Sequence, residues 1–334
     1  MSATPGEVAT SDGAQEIPLT NSRGHLGDSI FKGLSVGSGM LILAVLAAVA
    51  VFLIVQAVPA FLGQAGYPNG SRNVYRYVGP YLLGTILSSF LALLFAVPVA
   101  VGIALFVSHY APKRLATPVA FVLDLLAAVP SIVFGLWGIM TLAPALRGGY
   151  AWLNRHLGFI PFFGGRVSGT GRTMLTAALV LAIMILPIIT SLCREVFLRT
   201  PGLQEEASWA LGATRWEMIC QVVFPFGRSG IVSAAMLGLG RALGETMAVA
   251  MVLSPGRRIS AQLLTADNPN TIAANIALYF PEADAKTVPT LIATGLVLFV
   301  LTFAVNVLGR AIVGGRFTMA RLAMQARSRR GEKK

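Results

Sequence analysis

The chain has 334 residues, of which 55% are hydrophobic and only 12% charged, and its formal net charge is +12. Soluble domains carry about 25% charged residues, so this composition, with a mean hydropathy of +0.72, excludes a water-soluble globular protein and points to an integral membrane protein. The basic excess does not describe a nucleic-acid binder either, because most lysines and arginines flank or join long apolar runs.

Residues 1–32 read as a polar tail. Its first 28 residues hold Glu7, Asp12, Glu16 and Asp28 against Arg23. A cleavable signal peptide starts basic and turns apolar early, so this segment is expected to be a disordered cytoplasmic tail. A bilayer core takes about 20 apolar residues per helix, and six runs qualify: 34–62, 82–108, 115–146, 173–193, 229–253 and 288–309. The expected fold is therefore all-α, with six transmembrane helices in one permease-like domain over 33–313 and a basic cytoplasmic tail at 314–334. Pro98, Pro130 and Pro187 fall inside these runs, where membrane helices tolerate proline if neighbours re-satisfy the backbone.

With the N-terminus inside, sixteen of the 26 lysines and arginines fall on the inner side and nine on the outer. That bias predicts both termini cytoplasmic. Nine outer positive charges would draw an anion. Two outer loops are long. Residues 147–172 hold Trp152, Phe159, Phe162 and Phe163, an interfacial composition. Residues 254–287 contain an amphipathic stretch at 271–278. Either loop can seal helix ends or receive an external partner.

The fifth run carries the sequence's most unusual feature, GLGRALGETMAVAM at 238–251. Arg241 and Glu245 stand inside it, four residues apart, hence on one face if the helix is continuous. A charge at the centre of a spanning helix costs roughly 2.5–3.5 kcal/mol on insertion scales. Either the pair acts on something passing through the membrane, or the two charges satisfy each other as a buried intrahelical ion pair. Gly240 and Gly244 have the small-xxx-small spacing that lets membrane helices pack closely. Asp124 is the other charge within an apolar run. Counted from residue 115 at 1.5 Å per residue, it would lie about 14 Å deep. Ser131, beside Pro130, is a weaker candidate to offer a hydroxyl to a transmembrane path.

Loop 194–228 is the longest inner loop and reads as two short helices, 203–211 and 215–223, broken at Gly212 and ending before Pro225. Its core is Glu206-Ala207-Ser208, three residues, Gly212, nine residues, then Val222-Val223-Phe224-Pro225. This spacing resembles the E-A-A-x3-G-x9-I-x-L-P signature of ABC-importer permeases. Ser208, Val222 and Phe224 depart from it conservatively. Residues 83–112, 123–139 and 238–251 are further similar to the second, third and fifth helices of phosphate-importer permeases, the PstC type above all. The resemblance covers most of residues 80–310.

The resemblance implies a type I ABC importer permease fold. It makes loop 194–228 the coupling element that seats on an ATPase, through Glu205, Glu206, Ala207, Gly212, Ala213 and Pro225. It also implies a substrate path touched by Arg241, Glu245, Asp124 and Ser131. The guanidinium fork matches phosphate bidentately, and Glu245 would accept a hydrogen bond from a protonated phosphate oxygen or hold Arg241 in place. Partners implied are a second permease of the PstA type, an ATPase dimer of the PstB type and an extracytoplasmic phosphate-binding protein of the PstS type. The chain has no G-x-x-x-x-G-K-[ST] cradle, so it is expected to bind no cofactor itself, with ATP and magnesium used by the partner ATPase. Sulfate or molybdate as substrate remains open, as does a gradient-driven anion transporter. No nucleophile–base pair, carboxylate dyad or metal cluster recommends an enzyme. Cys193 and Cys220 lack metal or disulfide spacing, and His25, His109 and His156 are isolated.

Overall fold

The computed structural model describes residues 25–331 except 69, 255 and 257–259, with side chains described for 27–311 apart from 113. Two units divide at Phe52 and Leu53. The first ends in most of helix α1, His25–Phe61, an apolar rod exposed over nearly its whole length. The sequence assigns residues up to 32 to a tail, but the helix already begins at His25. Residues 1–24 lie outside the described part.

The larger unit starts at Leu53 and is a helical bundle. Its elements are α2 (Val74–Leu105), α3 (Lys113–Ala128), α4 (Ser131–Trp137), α5 (Ala143–Leu157), α6 (Met174–Leu198), α7 (Gly202–Ala210), α8 (Arg215–Met218), α9 (Phe224–Gly244), α10 (Met247–Val252), α11 (Ile272–Tyr279) and α12 (Val288–Gly331). Among the described residues of the whole chain, six helical stretches are long and apolar enough to cross a membrane. Among the described residues there is no strand. Side chains such as Ile86, Phe90 and Leu94 point outward on α2. An apolar outer surface is what lipid solvation demands, since it removes the hydrophobic penalty for exposure.

The centre of the bundle is the pairing of α2 with α6. Ala92, Ala96, Ala100 and Ala104 recur every fourth residue on α2 and are all buried, in one core with Leu181, Ile185 and Ile189 of α6. Alanine at i, i+4 lets two backbones approach closely, where dispersion between helices replaces the missing hydrophobic drive. Both helices run straight through prolines, Pro80 and Pro98 in α2 and Pro187 in α6.

Pro130 behaves differently and corrects the third apolar run. α3 stops at Ala128, Val129 is extended (ψ 128°), and Pro130 caps α4. The residue before proline is pushed out of the helical region, and here nothing compensates. The spanning stretch is therefore Ser131–Leu157, reaching eleven residues beyond the expected end at 146. It absorbs Arg147, Trp152 and Arg155, which the sequence assigns to a loop. α3, with 16 residues, is too short to span.

Three π turns occur in the described chain, at Phe106–Tyr110, Gly138–Leu142 and Ile219–Val223. Each closely precedes a proline: Pro112, Pro144 and Pro225. Proline lacks the N–H for its own bond and crowds the carbonyl four residues back. Widening the preceding turn relieves both defects. At Pro144 and Pro225 the helix continues, whereas at Pro112 the π turn closes α2 and Ala111 is extended. At the C-terminal end, α12 continues to Gly331 through the segment that reads as a basic tail.

α11 forms at the stretch that reads as amphipathic, 271–278, but Ile272, Ala273, Ala274 and Asn275 are all buried, so its first turn has no wet face. Thr271 caps it by accepting from the Ala274 N–H. It docks on α2 through polar groups: the Ile272 N–H donates to Thr85 Oγ1 (2.9 Å), and Asn275 Nδ2 donates to the Tyr77 hydroxyl (3.1 Å). Gly84 makes this possible, because a Cβ there would sit 2.4 Å from the Asn270 carbonyl oxygen.

Candidate functional site

The stretch holding Arg241 and Glu245 is not one helix. α9 ends at Gly244, Glu245 is extended (φ −69°, ψ 126°), and α10 begins at Met247. The expected shared face, and with it the intrahelical ion pair, is lost. Glu245 is buried, 8% exposed, and accepts a hydrogen bond from the Ala248 N–H at 3.2 Å. Its carboxylate thus serves the N-terminal end of α10, where unpaired N–H groups favour negative charge. Arg241 is exposed on the last turn of α9. Among the described residues the ion pairs are His109–Glu205 and Arg199–Glu195, and neither involves Arg241.

Arg241 instead lines a cavity of about 760 Å³, between α9, α6 and the middle of α12, with Ile188, Met236, Leu237, Asn306 and Arg310. Gly240 also borders this space. The expected packing role of Gly240 and Gly244 does not hold within this chain, since a Cβ on either would meet nothing within 4 Å. The close-packing glycine is Gly238, whose Cβ would lie 2.7 Å from Ile189 Cδ1. Helical periodicity explains the difference: Gly238 faces α6, and two residues on, Gly240 faces away.

α10 is held from both ends. The Arg172 guanidinium donates to the carbonyls of Met251 (3.0 Å), Val252 (3.4 Å) and Leu253 (3.1 Å). A cation on the last carbonyls complements the helix dipole just as Glu245 does at the start. α4 supplies the wall. A Cβ on Gly135 would come within 2.9 Å of Ala248 Cα, and one on Gly138 within 3.0 Å of Val252 Cγ2. Arg172 carries no sequence signal for this role, because its partners are about 80 residues away. Ser131 opens α4 as its first residue and is half-buried.

Asp124 lies on α3, outside the spanning stretch, so the depth counted from residue 115 does not apply. It is exposed and accepts a hydrogen bond from Ser191 on α6 at 3.2 Å.

At the end of the bundle that bears α7 and α8, the first short helix and the break at Gly212 fall where the sequence predicts. The second helix does not end before Pro225: from Arg215 it is continuous with α9 to Gly244. α7 closes in a Schellman turn. The Gly212 N–H donates to the Trp209 carbonyl (2.9 Å) and the Ala213 N–H to the Ser208 carbonyl (3.2 Å). Gly212 takes φ +84°, a conformation that glycine enters without steric penalty. Thr214 and Glu217 then form a reciprocal capping box that starts α8. Glu206 and Ala207 are exposed, Glu205 and Ala213 half-buried, and Pro225 sits exposed at the start of α9. Leu203 and Leu211 are 81% and 90% exposed. A groove of about 630 Å³ runs past Ala207, Ser208, Gly212 and Glu217.

One contact here is absent from the sequence reading. His109, in the π turn that ends α2, places Nε2 3.5 Å from Glu205 Oε1, with side chains 10% and 18% exposed. Its Nδ1 is 2.7 Å from Ser108 Oγ. The imidazole ties α7 to the central α2–α6 pair across 96 positions of sequence, so no local pattern announces it.

Residues 96–315 match the family model described as binding-protein-dependent transport system inner membrane component. The chain is 47% identical over 302 residues to the phosphate transport system permease protein PstC 2 of Mycobacterium tuberculosis, covering 87% of this chain and 93% of that one. It is 48% identical over 279 residues to the phosphate transport system permease protein PstC of Mycobacterium leprae, covering 80% and 87%. Among solved structures, a bacterial alginate ABC transporter in complex with its pentasaccharide-bound periplasmic protein superposes with a TM-score of 0.52. It has 16% identity and covers 83% of this chain and 95% of that chain.

Proposed function

The chain belongs to the family of binding-protein-dependent transport system inner membrane components, and from that premise we propose that it is the permease subunit of an ATP-driven phosphate importer. It forms half of the translocation pathway and has the type I importer fold. It performs no catalytic step; a partner ATPase hydrolyses ATP with magnesium. The phosphate assignment follows the relatives at 47% and 48% identity, whose names specify phosphate transport. The observation that carries the mechanism is the α7–Gly212–α8 element. It is a rigid, doubly capped turn with exposed Leu203 and Leu211 at its edge, shaped to take a push from an ATPase.

In this reading both termini and the α7–α8 element face the cytoplasm. A PstA-type permease completes the pore, a PstB-type ATPase pair seats on α7, and a PstS-type binding protein delivers phosphate to the opposite end. There, loops 158–173 and 253–271 meet through the Ser168–Leu264 and Leu263–Phe162 backbone bonds. ATP binding draws the ATPase pair together, α7 moves with it, and α9 re-aims Arg241 between the two faces. Arg241 offers the fork that phosphate oxygens accept, while Glu245 holds α10 in place.

The test is reconstitution of the chain with these partners in vesicles. Phosphate uptake driven by ATP, outcompeted by neither sulfate nor molybdate, is the expected result, and Arg241→Gln should abolish uptake without disassembly. Phosphate transport by the chain alone, without an ATPase, would refute the reading in favour of a gradient-driven carrier.

A further inference from the structure

Two arginines end up at one cavity from two different helices. Arg241 lies in the spanning stretch Arg215–Gly244 and Arg310 in Val288–Ala311, and both line the 760 Å³ space beside α6. Among the described residues no carboxylate borders that space. Neither guanidinium has an ion pair among the described residues, and Glu245 is committed to α10. Two like charges lining one space repel each other, and that cost falls if an anion sits between them. The approach of the helices is fixed close by: a Cβ on Gly309 would meet Met236 at 2.5 Å, so Arg310 is delivered to the cavity by tight packing of α12 on α9.

We propose that Arg241 and Arg310 together form a phosphate-oxyanion site in the cavity between α9 and α12. Asn306, from α12, adds an amide donor at its edge. The cavity falls within the roughly 300–1,000 Å³ range of organic-ligand pockets, larger than a bare tetrahedral oxyanion needs. Much of its remaining wall is apolar, with Ile188, Met236 and Leu237. The phosphate group therefore comes from one of two sources: inorganic phosphate with its water, or the headgroup of an anionic phospholipid whose chains follow the apolar wall. The proposal deepens the transport reading above and rests on it for the first source only.

The experiment uses the assembled transporter in vesicles of phosphatidylcholine alone or with phosphatidylglycerol, comparing the native chain, Arg310→Gln and Arg310→Lys. If inorganic phosphate is the ligand, Arg310→Gln raises the KM for phosphate about tenfold in both vesicle types, the loss expected for one charged contact. Arg310→Lys then recovers part of it. If lipid is the ligand, the KM stays constant while phosphatidylglycerol retained through purification, read by mass spectrometry, falls severalfold in Arg310→Gln. An unchanged KM together with unchanged lipid retention in an assembled Arg310→Gln complex overturns the proposal. Should that variant not assemble, Asn306→Leu removes the neighbouring donor and is read by the same two measurements. Absence of phosphate uptake by the native complex overturns the transport reading instead, and the lipid measurement still decides the cavity.

Discussion

Replacing Gly212 by alanine isolates the contribution of one backbone angle to the α7–α8 turn, the coupling element proposed above. Gly212 holds φ +84°, and a Cβ built there meets nothing within 4 Å. Steric clash with neighbours therefore contributes nothing, and the entire penalty is the left-handed backbone, about 1–2 kcal/mol for an L-residue. Two hydrogen bonds depend on that angle, Gly212 to Trp209 and Ala213 to Ser208. If the chain relaxes toward negative φ, both open and α7 loses its fixed angle to α8. A penalty of that size raises the population of the opened turn about 5- to 30-fold. Hydrogen exchange over residues 202–218 of the assembled transporter should accelerate by that factor in Gly212→Ala, and less in Gly212→Asn, since asparagine tolerates positive φ. Uptake per ATP hydrolysed should fall in the same order. Exchange in Gly212→Ala at the native rate would refute the claim that the turn requires glycine.

His109→Ala and Glu205→Gln should each lower uptake per ATP without releasing the ATPase, and the double variant should be no worse than either, because both remove one contact of about 1 kcal/mol. Additive losses in that cycle would mean the two side chains act separately. Arg172→Met removes donors to three carbonyls of the α10 end and should cost about 2 kcal/mol, read as a lower thermal midpoint in detergent; an unchanged midpoint would show that α10 is held by α4 alone. Asp284 accepts from the Thr287 N–H and hydroxyl at the start of α12, and these bonds hold its carboxyl below the ordinary value of 3.8. A depressed folded pKa stabilises above the unfolded pKa and loses that contribution as pH falls through the folded one. Asp284→Ala should therefore lower the thermal midpoint at pH 7, with the difference unchanged to about pH 5 and closing only in stronger acid. A difference that grew on acidification would contradict the sign.

Most of the apolar runs and the α7–Gly212 turn were legible because each is decided locally, by hydropathy and by one glycine; the ends of the third and fifth runs were not. Proline was not locally decidable. Pro98 and Pro187 sit on helices packed together in the α2–α6 core, and both helices continue through them. Pro130 follows the amphipathic α3, and there the preference of Val129 for an extended backbone prevails. The break at Gly244 did leave a signal. A glycine followed by Glu-Thr and an apolar run is a helix stop and restart, but reading Arg241 and Glu245 as a spaced pair presupposed the continuous helix that this signal denies. Arg172, His109 and Arg310 were illegible for a common reason. Each finds its partners or its cavity through packing of helices far apart in sequence.

The stop at Gly244 determines what a displacement of α7 can do. From Arg215 the backbone is helical for 30 residues, about 45 Å at 1.5 Å per residue. The π turn at Ile219–Val223 widens this rod without interrupting it. Arg241 stands on its last turn. Beyond it, α10 belongs mechanically to another body, pinned to α4 by the Gly135 approach and to the loop by Arg172. Had the helix continued through Glu245, a push on α7 would drag α10 and its wall along with Arg241. Because it ends at Gly244, the rod can turn Arg241 against a stationary α10. Glu245 is the joint: its buried carboxylate stays with α10, and its extended backbone takes up the angle between the two.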